Sequence, residues 1–154
     1  MPTKDNLIMS ATRPPRSFWI ITSLAIFWNL MGFIAFTSQS FMSSAMLAEL
    51  PPDQAELIRQ TPQWLKGVFA VATITGLLGS FLLVLLRSAA TTLFLISLAG
   101  VLIQMGYSLF ATNALQVYGI LQGLLLPLFV VIIAVYLYIF SRRCAAKGYL
   151  RRSS

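Results

Sequence analysis

Apolar residues fill four long runs, roughly residues 17–37, 61–86, 89–111 and 118–140, and most polar residues lie between them. Each run reaches or exceeds the ~20 residues that an α-helix needs to cross the hydrocarbon of a bilayer. None contains Asp or Glu, and Lys66, near the start of the second, is close enough to an end to extend its ammonium to the surface. The pattern predicts an all-α fold: an integral-membrane, four-helix antiparallel bundle forming one domain over 1–154. The first run exceeds the ~7–15 residues of a signal-peptide core, so it is expected to stay as a span.

The connections are unequal. Two are short, "RSAA" and "TNALQV", which makes neighbouring helices antiparallel. The third, residues 38–60, is the one sizeable loop. Met42, Met46, Leu47 and Leu50 recur there at helical spacing and predict a short surface helix, stopped by Pro51 and Pro52. "PDQAELIRQ" is expected to add one or two turns. Thr61 and Pro62 then read as N-cap and first residue of the second span. The tail 141–154 reads as a solvated basic end able to touch anionic lipid.

Composition supports lipid as the solvent. Of 154 residues, 58% are hydrophobic and 10% charged, against about 45–50% and about 25% in ordinary soluble domains. The net charge of +7 sits at the ends of the runs, not in a stripe interleaved with aromatics, which argues against nucleic acid. With alternating spans, Lys4, Arg13, Arg16, Arg87, Arg142, Arg143, Lys147, Arg151 and Arg152 share one side; Arg59 and Lys66 take the other. Basic residues mark the cytoplasmic side, so both termini are expected there. Trp19, Tyr136 and Tyr138 would anchor the inner interface, Trp64 and Tyr118 the outer.

The chain has no His and one Cys, Cys144. Intramolecular disulfides, His-ligated haem, His/Cys zinc sites and His-activated nucleophiles are thereby excluded. No catalytic residue, cofactor or metal site is expected. Cys144 lies among Arg142, Arg143 and Lys147, cations that favour a thiolate; it reads as a juxtamembrane Cys, with reversible lipidation as the second reading. A lipid-directed enzyme would have only Glu49, Asp53 and Glu56 to work with, and a solvated loop accounts for these. The absence of a carboxylate within the spans also argues against a drug/proton antiporter of the small four-helix kind.

The chemistry left is a buried polar layer: Asn29, Thr73, Gln104, Tyr107, Gln122 and Pro127. Pro127 cannot donate to the Gly123 carbonyl, which frees an acceptor. By depth along their spans, Asn29 and Gln104 are expected at similar height. They are expected to bond each other, Thr73 or that carbonyl, since an unpartnered amide in hydrocarbon costs several kcal/mol. Small residues share these faces: Thr22, Ala25, Asn29 and Gly32; Ala70, Thr73, Gly76 and Ser80; Ser97, Gly100, Gln104 and Ser108; and Gly119, Gly123 and Pro127. Small side chains let helices approach closely in lipid. The layer is either glue between helices or the lining of a site for a neutral ligand. "MGFIAF" (31–36) against "MGYSLF" (105–110), and "TGLL" (75–78) against "QGLL" (122–125), also hint at two parallel hairpins.

"FWNLMGFIAF" (27–36), the "TPQW" start at 61–64, the Gly-rich second span ending in Arg87 and the basic tail resemble a family of small four-span bacterial inner-membrane proteins of uncharacterised function. The likeness runs from about residue 18 to 143. Some members are labelled "sugar transporter", so the resemblance implies at most passage of a neutral solute, and it brings no site residues with it. The expected function is that of a non-enzymatic inner-membrane protein acting by helix packing with itself or with a membrane partner in the lipid bilayer. The alternative is a transporter or channel component for a small neutral solute such as a sugar.

Overall fold

The computed structural model describes residues 13–151; Lys4 and Arg152, counted above with the basic side, lie outside the described residues. The helices are α1 (Arg16–Ser40), α2 (Ser44–Ala48), α3 (Pro52–Gln60), α4 (Gln63–Val84), α5 (Ala89–Ala111), α6 (Ala114–Ile120) and α7 (Leu126–Ala146), with a π-helical segment, Leu121–Leu125, between the last two. Among the described residues, four helical stretches are long and apolar enough to cross a membrane: α1, α4, α5 and the kinked run Ala114–Ala146. This is a multi-pass, all-α membrane bundle. The third predicted span coincides with α5, and the others are displaced by a few residues at their ends.

Large side chains point outward. Ile20, Leu24, Phe27, Leu78, Leu102, Ile103, Phe129 and Ile132 are exposed on the long helices, while α1 buries only Phe18, Thr22 and Ala25. Water would not tolerate such a surface; hydrocarbon does, and it removes the gain from hiding apolar groups. What is buried is therefore mostly small: Ala72, Gly76, Gly79 and Ser80 on α4, and Ala90, Ser97 and Gly100 on α5 beside Phe94. A Cβ added to Gly100 would stand 2.8 Å from the Ala72 Cβ, which marks the closest approach of α4 and α5. The bundle runs α1–α4–α5–α7, each packed on the next. Between α1 and α7, aromatic rings span the gap: Phe18 on Phe140 (5.9 Å) and Trp28 on Phe129 (5.5 Å). The two hairpins of the suggested repeat are thus not joined symmetrically.

The connection between α1 and α4 differs from expectation. α2 is one short turn, capped by Ser43, whose hydroxyl accepts from the Met46 N–H, and it buries nothing. The main cap is α3, whose Ala55 is buried and whose Leu57 and Ile58 are half-buried while Asp53, Glu56 and Arg59 face out. Thr61 looks backward, not forward: its hydroxyl donates to the Leu57 carbonyl at 2.9 Å and closes α3. Pro62, in extended conformation, stands just before α4 and is not its first residue.

The tail is not simply solvated. Gly148 (φ 75°) ends α7 in the left-handed region, which a glycine enters without strain. Its N–H donates to Ala145 and that of Tyr149 to Cys144, closing the helix. The chain then hooks onto the α4–α5 turn. Arg151 N–H donates to the Leu86 carbonyl (2.6 Å), and Ser88 N–H donates to the Arg151 carbonyl (3.0 Å). Leu150 is buried and Tyr149 packs against Phe18. Cys144 is buried in the same cluster, so reversible lipidation loses its footing; a buried cysteine of this kind is inert. Leu86 itself adopts φ 56°, which costs a non-glycine residue about 1–2 kcal/mol. The hook and the packing of Leu86 on the core offset that strain.

Leu150→Ala is expected to lower stability by about 2–3 kcal/mol, because this side chain moves from water to a packed site on folding. Reversible unfolding in bicelles, followed by circular dichroism, measures it; an unchanged midpoint would mean the hook carries no stability.

Candidate functional site: a polar knot and an outer cleft

The polar residues separate into two groups. The first is a knot at the centre of α1, α4 and α5. The Asn29 Nδ2 donates to the Ala25 carbonyl of its own helix (2.9 Å) and to the Ser80 hydroxyl on α4 (3.1 Å). Ser80 donates onward to the Gly76 carbonyl (3.0 Å). From α5, Ser97 donates to the Ala72 carbonyl (2.7 Å). Gly76 makes the room: a Cβ there would run into the Asn29 Oδ1 and stand 3.0 Å from the Ser97 hydroxyl. One missing methyl lets three helices meet.

The expected Asn29–Gln104 pairing does not form. Through Gly76, Asn29 stands level with Ser97. Gln104 is seven residues further along α5, about 10 Å nearer the outer end. Thr73 also serves its own helix, donating to the Phe69 and Ala70 carbonyls, with its methyl against Gly32. Asn29 and Thr73 therefore direct their hydrogen bonds to protein partners.

The second group lines a cleft of about 480 Å³ at the α3 end of the bundle. Gln104, Tyr107 and Ser108 reach it from one face of α5, and Tyr118 and Gln122 from the opposite wall. Gln39 comes from the end of α1, Gln54 from the α3 cap and Lys66 from the first turns of α4. Phe69, Leu65 and Leu126 supply apolar surface. Trp64 meets the Tyr107 ring edge-on (5.5 Å), and a smaller space lies on the other side of Tyr107, bounded by Gln60, Asn113 and Thr112. Among the described residues, the side-chain amides of Gln39, Gln54, Gln104 and Gln122 make no hydrogen bond within the protein. Their donors and acceptors remain available to something in the cleft.

The far wall owes its shape to two backbone features. Gly119 does not line a face of span four, as its spacing suggested; it breaks the helix with φ 72° and ψ 179°, a region essentially restricted to glycine. Pro127 supplies no polar group to the layer. Its missing N–H and its ring disturb the preceding turn, and the helix there widens: the Leu126 N–H bonds the Leu121 carbonyl, five residues back. Between these points α6 folds against Gly123, where a Cβ would stand 2.9 Å from the Ala114 carbonyl oxygen and the Leu115 Cα. This bend carries Gln122 and Tyr118 to the cleft. The "YGILQGLLLP" stretch held the signal, a glycine and a proline eight residues apart around a second glycine, but helical spacing alone reads it as one smooth face.

Among the described residues, the opposite end of the bundle is packed. Phe18, Leu83, Phe94 and Leu137 are buried there in one apolar cluster. No protein-family model matches the chain, and no curated protein and no solved structure is found to be similar to it.

Gly76→Ala is expected to displace the Asn29 carboxamide and cost about 1–3 kcal/mol, an overpacking penalty. Gly67→Ala, where a Cβ meets nothing within 4 Å, is the control and leaves the unfolding midpoint unchanged or slightly raised. Gly119→Ala is expected to cost about 1–3 kcal/mol through backbone strain alone; unfolding in bicelles compares all three.

Proposed function

We propose that this is a non-enzymatic, multi-pass protein of a bacterial inner membrane, with both termini cytoplasmic, that admits a small neutral solute such as a sugar to its outer cleft. The observation that carries the proposal is the set of four glutamine amides that line one cleft and bond nothing among the described residues. Amides supply paired donors and acceptors, as neutral hydroxyl-rich molecules require. Tyr107 and Tyr118 add hydroxyls and ring faces, and no carboxylate lines the space. The start of α1, the end of α7, the α4–α5 turn and the tail lie together at the end opposite the cleft. Among the described residues, Arg13, Arg16, Arg87, Arg142, Arg143, Lys147 and Arg151 belong to that end, which supports a cytoplasmic assignment. The resemblance to small four-span proteins labelled "sugar transporter" is in keeping with this reading.

Packing with a second copy or a membrane partner is part of the same proposal. The inner half of one bundle is filled by Phe18, Leu83, Phe94 and Leu137. A complete path through the membrane therefore calls for a second copy, a partner or a different arrangement of the helices. Binding from the outside calls for none of these.

Binding of a panel of uncharged sugars and polyols, read as a shift in thermal unfolding and as uptake into proteoliposomes, tests the proposal. Gln104→Leu should weaken the bound solute about tenfold, the value of one hydrogen bond to a ligand, without lowering the unfolding temperature of the free protein. Asn29→Leu should do the reverse. A panel in which no compound shifts unfolding or enters vesicles faster than into protein-free ones would refute it.

A further inference from the structure

The cleft is not equally polar on all sides. Lys66 lines it, half-buried, and has no ion-pair partner among the described residues; the acidic Asp53 and Glu56 of the cap face out from α3. A neutral solute gives this ammonium nothing to meet. Beside it, Phe69 and Leu65 of α4 and Leu126 of α7 make an apolar wall. Leu126 is also 57% exposed on the lipid-facing side, so one residue borders both the cleft and the bilayer. The wall lies at acyl-chain depth: Phe69 is six residues, about 9 Å, inside the start of α4.

The open side can be located. Backbones of α1 and α4, of α4 and α5, and of α5 and α7 pack closely, whereas α1 and α7 are bridged by rings. Trp28–Phe129 is the outermost of those ring contacts. Outward of it, α1 contributes Gln39 and Ser40 to the cleft, and the facing span contributes Gln122 and Leu126. The cavity of about 480 Å³ falls in the range of ligand sites, about 300–1,000 Å³. It has room for a headgroup, while acyl chains find their place along the α1–α7 seam.

We infer that the occupant is an amphiphile of the outer leaflet, a lipid carrying a hydroxyl-bearing headgroup through a phosphate, which enters sideways between α1 and α7. Its phosphate meets Lys66, its hydroxyls meet Gln104, Gln122 and Gln54, and its chains stay in the bilayer against Leu126. This goes beyond the solute reading above: it keeps the glutamine amides as the groups that meet hydroxyls, but makes their bearer an anionic lipid and not a free neutral molecule. A single cation opposite a single phosphodiester balances the one charge in the cleft, and a charge-assisted bond of that kind is among the stronger ones available.

Native mass spectrometry of the protein in neutral detergent tests the inference with three probes. Phosphatidylglycerol has chains, phosphate and free hydroxyls; diacylglycerol has chains without phosphate; glycerophosphoglycerol is the headgroup without chains. Phosphatidylglycerol should bind one to one, about tenfold more tightly than diacylglycerol, and glycerophosphoglycerol should not displace it. Lys66→Met should lose about tenfold, Lys66→Arg should keep the affinity, and Arg87→Met at the opposite end should change nothing. Gln104→Leu gives a second variant should Lys66→Met not fold, and it too should weaken the lipid. Equal binding of phosphatidylglycerol by wild type and Lys66→Met, or by wild type and Gln104→Leu, overturns the inference. Displacement by the free headgroup also overturns it but leaves the solute reading standing. If no sugar, polyol or lipid responds to Gln104→Leu, both fall.

Discussion

A membrane bundle cannot hold its helices together by hiding apolar side chains, because lipid solvates them as well as protein does. Here the solution is the close meeting of α1, α4 and α5 around Gly76. The glycine brings the backbones near enough for a carboxamide and two hydroxyls to find partners. Dispersion contacts between closely approaching backbones supply the rest. The arrangement is self-consistent: the amide needs a partner because it is in hydrocarbon, and the partner is within reach because the residues around it are small. The large residues have only one place left, the lipid-facing surface.

The same constraint makes the outer cleft notable. Asn29 and Thr73 spend their polar groups inside the protein, and Ser80 and Ser97 do likewise. Gln104 and Gln122 do not, although they stand only two or three turns from helix ends. Instead the chain spends a glycine break at Gly119 and a widened turn before Pro127 to bring one of them to the cleft. At the other end, the tail hook draws Tyr149 and Leu150 into the apolar cluster. Among the described residues, the bundle is polar and open at one end and apolar and packed at the other.

Much of this was legible in the sequence. The four runs fix the spans because no soluble fold accommodates them, and the small residues at helical spacing mark the packing faces: Thr22, Ala25, Gly76, Ser80, Ser97 and Gly100 are at or beside the contacts. What could not be read is which hydroxyl an amide chooses. Depth estimated along separate helices carries an error of a turn or more, since α1 runs on to Ser40 while the expected span stopped at 37. That error put Asn29 opposite Gln104 when its level is that of Ser97. Thr61 was misassigned because a threonine before a proline caps forward or backward with the same residues. The tail misled for a different reason: its charges are conspicuous, while the "KGYL" that docks it is a capping signal of only four residues. Leu86 gave no signal at all, since nothing about a leucine announces a left-handed turn.

The central claim is that Asn29 and Ser80 bond across the α1–α4 contact and that this contact organises the bundle. A double-mutant cycle with Asn29→Ala and Ser80→Ala, measured by reversible unfolding in bicelles, addresses it most directly. The account predicts a coupling energy of about 0.6–1.7 kcal/mol, the range found for hydrogen bonds between membrane helices. Strictly additive losses, with no coupling, would contradict it.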